Sequence, residues 1–341
     1  MRNSVKFCLK NPNRIILLYL AGGLSLASAA VLGICFGNTP LSFAEIRQAL
    51  GTDAASSAAA RIFLYVRLPR TLASLCCGAA LAVSGVVIQG VLANRLASPS
   101  IIGVNAGAGL AVTLCTALGI YGGLQLSMFS FLGAFTSVML VSIAARKWGA
   151  SRGTVILIGV AMNSLLGAVS DTIVTFIPEV GVMSNDFKVG EFSAVTYQKL
   201  IPSVILILIM LLMLLTLSNE LDVLTLGEDN AKGLGMNTGL MHPLFLLCAA
   251  ALAGCAVSLA GLLSFVGLIV PHAVRRVAGN KSFHLIVLSG LFGSAFVCIC
   301  DTIARTAFSP YEIPVGIIMS FLGAPFFVFI LIKGKGVHGC D

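Results

Sequence analysis

Charge is what this sequence has least of. Asp, Glu, Lys and Arg make up only 10% of its 341 residues, against about 25% in a soluble domain, which excludes a large soluble domain. The 21 basic residues exceed the 13 acidic ones by eight, but they are scattered in ones to fours between apolar runs. Without interleaved exposed aromatics, that pattern speaks for membrane topology and against nucleic acid. No C-x-x-C occurs, and His242, His272, His284 and His338 stand apart from the ten cysteines and from each other, so no metal site is expected. Eight cysteines, among them Cys76, Cys77, Cys255 and Cys298, lie in apolar runs, where a thiol behaves as a small hydrophobe. The phosphate-cradling string G-x-x-x-x-G-K-[ST] is also missing. Gly279-Asn280-Lys281-Ser282 lacks both glycines that it requires. With no nucleophile and base recognisably paired, no catalytic residue is expected, and any ATP has to be bound by another chain.

What the chain does have is apolar sequence, at 58% of residues. Nine runs fall at about 15 to 36, 68 to 92, 101 to 119, 125 to 145, 154 to 177, 201 to 217, 243 to 274, 284 to 303 and 313 to 332. A hydrocarbon core of about 30 Å needs about 20 residues per helix, so eight of these are single spans. The seventh, at 32 residues, would be about 48 Å long as one helix, too long for one span and short for two. Gly261 and Ser264 interrupt it, and it reads as a full span to about Leu259 and a short return segment through Gly267 to Arg276. Ten crossings with both ends inside then put fourteen of the 21 Lys and Arg on the inner side and seven on the outer, as cytoplasmic loops prefer. The A-x-A at Ala27 to Ala29 follows a run too long for a signal peptide, so the first run is an uncleaved span.

Small residues are placed for helix packing in lipid: Gly103 and Gly107 are spaced as G-x-x-x-G, and Gly78, Ala82 and Gly85 lie on another span. Polar groups within spans are costly and are candidates for function; here they are Asn105, Asn163, Asp171 and Asp301. Arg305, four residues after Asp301, is positioned to neutralise it. Asn163 and Asp171 are eight residues apart, on nearly one face of the fifth span, which is expected to border a central path. Two stretches break the run of short loops. Outside, Pro178 to Leu200 suits a helix at the membrane surface with Val189 and Phe192 on its apolar side. Inside, Ser218 to Thr238 reads as two short helices whose leucines exceed the needs of a plain connector, so partner docking is expected there.

The strings RLPRTLASLCCGAALAVSGVVIQGVLANRLASPSIIGVNAGAG (67 to 109), GEDNAKGLGM (227 to 236), SFVGLIVPHAVRR (264 to 276), DTIART (301 to 306), EIPVGI (312 to 317) and GAPFF (323 to 327), in this order, resemble the FecCD/BtuC-type permeases. These are the membrane subunits of type II ABC importers for iron-siderophores, haem and cobalamin. Asn94-Arg95-Leu96-Ala97 stands where the family has N-P-L-A, and Ser264 to Leu268 where it has G-F-V-G-L.

The resemblance implies an all-α, ten-span inverted-repeat fold over residues 15–335, between a cytoplasmic segment 1–14 and a tail 336–341, in the cytoplasmic membrane of a bacterium. It implies a homodimer, or a heterodimer with a close paralogue, around a translocation path. A cytoplasmic ATPase dimer would carry the ATP and Mg, no cofactor being expected on this chain, and an extracytoplasmic binding protein would deliver cargo. A ferric siderophore is the expected substrate, with haem or a corrinoid as the alternative. An ion-driven secondary transporter would instead need paired ionisable groups at mid-membrane, of which Asp171 is the main candidate. The coupling loop 218–238 is expected to meet the ATPase through Gly227, Ala231, Leu234 and Gly235, where small residues admit a close approach and Leu234 anchors it. Arg67, Arg70 and Arg305, at outer span ends where the charge rule disfavours arginine, are expected to face outward and receive the binding protein.

Overall fold

The structure is a computed structural model that describes residues 12–39, 58–147 and 152–335. The expected tail 336–341 and most of the expected segment 1–14 lie outside the described residues. Thirteen helical elements follow one another: α1 Pro12–Cys35, α2 Ala58–Val91, α3 Val104–Ala117, α4 Gly123–Lys147, α5 Arg152–Phe176, α6 Pro178–Val189, α7 Tyr197–Thr216, α8 Ser218–Thr225, α9 Glu228–Gly233, α10 Thr238–Ala260, α11 Val266–Ala278, α12 Ser282–Thr306 and α13 Val315–Lys335. Seven of them (α1, α2, α4, α5, α7, α10 and α12) are long and apolar enough to cross a membrane. With α3, α11 and α13 they make ten helices, among the described residues, in the places of the ten expected spans.

The 32-residue run breaks where its glycine lies. Gly261 ends α10 at φ 71°, and Phe265 opens α11 at φ 67°, so the backbone reverses within five residues. The break is tied to the outer segment by backbone hydrogen bonds, Leu262 N–H to Phe187 O at 2.9 Å and Glu191 N–H to Ala260 O at 2.8 Å. That segment forms α6, but Phe192 lies beyond the helix and is fully buried, so it is a core residue and not part of a surface face. A second departure concerns Pro69. Proline at the start of a run suggests a helix beginning, yet α2 starts eleven residues earlier. A π-helical turn at Phe63–Arg67 widens the backbone just before Pro69, relieving the clash a proline ring makes with the preceding turn.

The core is built on α2 and α10, whose most apolar stretches are 78% and 83% buried, against 11% for α1 and 17% for α5 and α7. Lipid supplies no hydrophobic drive between helices, so contact depends on small residues and polar glue. A Cβ on Gly78 would overlap the Gly293 carbonyl of α12, and one on Gly85 the Gly267 carbonyl of α11. Ser84 Oγ donates to Ala249 O at 2.7 Å and Ser294 Oγ to Leu75 O at 2.7 Å, locking α2 to α10 and α12. In the other half Gly107 crosses Gly133 at equally close range, and Ser137 Oγ donates to Gly103 O at 2.6 Å.

Candidate functional site

The C-terminal ends of α1 and α12 and the N-terminal part of α2 are joined by a buried ion cluster. The Arg70 guanidinium donates from Nε and Nη2 to Asp301 Oδ1 at 3.1 and 3.0 Å and from Nη1 to Glu312 Oε2 at 2.7 Å. Asp301 is fully buried, and Arg305, one turn on, lies 3.7 Å from its second oxygen, the pairing expected from the sequence. Arg305 also donates to Gly33 O at 2.6 Å, while Arg67 donates to Ile34 O at 3.2 Å, Cys35 O at 2.9 Å and Thr39 O. Those of Gly33, Ile34 and Cys35 are carbonyls that the C-terminus of α1 leaves unpaired, where a cation also suits the helix dipole, and Thr39 lies in the segment that follows.

Arg67, Arg70 and Arg305 are therefore not the outward-facing set expected: they are 3%, 7% and 2% exposed. The physical reason for arginine at this depth is local, since the carboxylates of Asp301 and Glu312 and the free carbonyls at the end of α1 meet here and need donors. What the outer face does expose nearby is the loop after α12, with Phe308 and Tyr311, held by the Arg70–Glu312 pair and by Asn38 Nδ2 donating to Pro310 O at 3.0 Å.

On α5 the two expected path residues differ in kind. Asn163 is half-buried, and its amide donates to Ser100 O at 2.9 Å and Ile101 O at 3.1 Å, holding the turn that leads into α3. Asp171 is exposed and has no ion pair among the described residues. The structure does not bring the two together. They lie on a helix whose Leu157, Val160, Leu165 and Phe176 are also exposed, a largely unpartnered face within this chain.

The loop 218–238 forms two short helices, α8 and α9, as expected. Leu221 and Leu224 are buried against the inner end of α2, where a Cβ on Gly90 would lie 3.0 Å from Leu221 Cδ1. Asp222 Oδ1 accepts the Ser282 N–H at 2.8 Å, tying α8 to the start of α12. Gly227 and Gly235 take positive φ values of 111° and 83° and frame α9, and open space surrounds Gly235. Leu234 is 67% exposed, and Leu226 and Leu240 stand out beside it. Ala231 is the exception, being fully buried under its own helix, so it supports the platform from within and does not present itself to a partner.

One concavity was not legible in the sequence. A cavity of about 520 Å³ opens beside the α10–α11 break, lined by Lys188, Leu262, Ser264, Ser320 and Phe321 among others. It is mostly apolar with a few polar groups, and it lies where a span is interrupted, the kind of place where membrane transporters hold substrates. Ser264 stood in a quoted motif, but nothing in the string showed that α6 and α13 would close around it.

Comparison with known proteins agrees with this geometry. The model of the FecCD transport family matches residues 25–333. The Fe(3+)-citrate import system permease protein YfmD of Bacillus subtilis is 35% identical over 276 residues, 81% of this chain and 83% of that protein. The hemin transport system permease protein HmuU of Yersinia pestis is 32% identical over 281 residues, 80% of this chain and 84% of that protein. A solved ABC transporter described as of metal-chelate type, in an inward-facing conformation, superposes with a TM-score of 0.82 at 30% identity, covering 92% of this chain and 98% of that one. A multi-pass helical chain with these span positions, breaks and motifs, matched over nearly its whole length, belongs to the FecCD transport family.

Proposed function

We propose that this chain is the membrane-spanning permease subunit of an ABC importer for a ferric siderophore. The observation that carries the reading is the family match over residues 25–333, on a chain that holds no nucleotide-binding motif but presents an exposed apolar platform at α8–α9. ATP hydrolysis, with ATP and Mg, belongs to a separate ATPase dimer that meets Leu226, Gly227, Leu234 and Gly235. The excess of Lys and Arg on the α8–α9 side supports a topology with that side, and both termini, in the cytoplasm of a bacterial cell.

Two copies of the chain, or this chain and a close paralogue, pack through the exposed face of α5 and enclose the path, with Asp171 toward its outer mouth. Asn163 acts there as the clamp of the α3 turn. The cavity beside the α10–α11 break forms part of the path wall. An extracytoplasmic binding protein delivers cargo at the outer face, where the buried arginines act by holding the 307–312 loop in shape. The Fe(3+)-citrate relative favours a ferric chelate, and the hemin relative makes haem the second reading.

The test is reconstitution in liposomes with the cognate ATPase and binding protein, and measurement of ATPase stimulation and uptake across ferric siderophores, haem and corrinoids. Stimulation by a ferric siderophore is expected. Transport by the purified chain alone under an ion gradient would replace this reading with a secondary transporter.

A further inference from the structure

A second concavity, of about 420 Å³, lies between α1, α11 and α12, away from the cavity already described. Its walls are Leu18 and Ser25 of α1, a stripe of α11 from Ile269 to Ala278, and a stripe of α12 from Leu288 to Ile299. Ser25 is the sole polar side chain in this lining, and its hydroxyl is already committed to Gly22 O at 2.8 Å. The groove itself therefore offers no free side-chain donor to an anionic group. Along α12 the groove runs eleven residues, about 16 Å at helical rise, which is the depth of one leaflet of a hydrocarbon core of about 30 Å.

The end of the groove is different in character. Arg14 lies one turn before Leu18 on the same face of α1, and Lys281 is the residue at the start of α12, seven before Leu288. Both are exposed and neither has an ion pair among the described residues. Asp222, the nearby carboxylate, is engaged with the Ser282 N–H. On the same two helices Tyr19 Oη and His284 Nδ1 share a hydrogen bond of 2.6 Å that bridges α1 to α12, and tyrosine is a residue favoured at the level of lipid headgroups.

We propose that this groove is a binding site for an anionic phospholipid in the leaflet on the α8–α9 side, one acyl chain lying along α11 and α12 and the headgroup held by Arg14 and Lys281. Depth, apolar lining and unpaired cations at one end together fit that molecule. A neighbouring protein helix would leave the cations without partners, and a zwitterionic lipid would leave them unneutralised. The site is independent of the substrate carried and of the proposed partners.

The experiment uses the full chain in phosphatidylcholine vesicles containing a minority of phosphatidylglycerol, either lipid carrying a photoreactive diazirine midway along an acyl chain, with adducts mapped by mass spectrometry. Adducts on Ile269 to Val277 and Leu288 to Ile299 should favour the phosphatidylglycerol probe, with labelling of lipid-exposed Leu208 on α7 as the reference for bulk contact. Ala273→Trp and Val277→Trp fill the groove from exposed positions, which spares folding, and each should remove the groove adducts while leaving the Leu208 adducts in place. Arg14→Gln and Lys281→Gln should each lower the preference for phosphatidylglycerol about fivefold. Equal labelling of groove and α7 by both probes would reduce the site to ordinary solvation by lipid and overturn the proposal. Cross-links from the groove to a second copy of the chain would overturn it in favour of a protein interface.

Discussion

The two ends of the α2 helix present opposite treatments of charge and exposure. At the outer end, three arginines, Asp301 and Glu312 are drawn together, and four of the five are less than 10% exposed. At the inner end, α8 and α9 bury Leu221, Leu224 and Ala231 but leave Leu226 and Leu234 in the open. Polar groups that sit inside a membrane protein are there to satisfy one another, whereas apolar groups that sit outside the bilayer await a partner. In this molecule residue type alone suggests a partner for both sets, and only the leucines stand in the open.

The comparison is broken most forcefully at Asp301. Asp301→Ala leaves two arginines buried without their shared anion, and removing one partner of a buried pair costs about 3–5 kcal/mol. The variant is expected to be lost from the membrane or to unfold at markedly lower temperature in detergent, and Arg70→Ala should behave alike. A stable Asp301→Ala protein would mean that the cluster is not internally closed.

Next in size is the crossing that sets where the inner platform sits. Gly85→Ala places a methyl on the Gly267 carbonyl, so α2 and α11 must separate, at about 1–3 kcal/mol by analogy with overpacked cores. Gly109→Ala, where open space surrounds the position, is the matched control and should be neutral. Thermal unfolding of the two variants side by side reads the difference.

Much of this fold was legible in the sequence. The split of the 32-residue run was readable because glycine and hydropathy act locally, and the Asp301–Arg305 pair because helical spacing is local too. The burial of the arginines was not, because their other partners are distant: Asp301 is 231 residues from Arg70, and Gly33 is 272 from Arg305. A string shows that a charge exists, but not which carbonyls will come to rest beside it. Ala231 misled for a related reason. Small residues allow close approach, but the string does not say whether the approach is to a partner or to the chain's own core. Pro69 suggests a helix start, but it lies eleven residues inside α2, just after a π turn whose cause is not local to the proline string.

A smaller effect is expected at the rim of the outer cluster. Glu312 is 37% exposed at its side chain, so its bond to Arg70 is partly screened by water, unlike the one to Asp301. Glu312→Gln should cost about 0.2–1 kcal/mol, the range of an exposed pair, and the loss should shrink at high salt. A loss as large as that of Asp301→Ala would show that the 307–312 loop belongs to the closed interior.

The smallest effect on the fold and the most specific effect on function are expected at Leu234. Its side chain lies outside the core at 67% exposure on α9, so Leu234→Asp removes little burial and should shift stability by no more than about 0.5 kcal/mol. If the α8–α9 platform meets the ATPase, the same change buries an unpaired carboxylate in that contact, and a central anchor lost from an interface commonly costs about 2 kcal/mol or more of binding. Complex formation should therefore weaken at least about tenfold, and ATP-driven uptake should fall with it, while the unfolding temperature of the chain stays in place. Ala231→Trp provides the contrast, since a bulky ring in a fully buried position should disturb folding of α9 itself. Leu234→Asp with normal assembly and uptake would remove Leu234 from the interface, and with it the argument that the exposed leucines of the inner end are there for a partner.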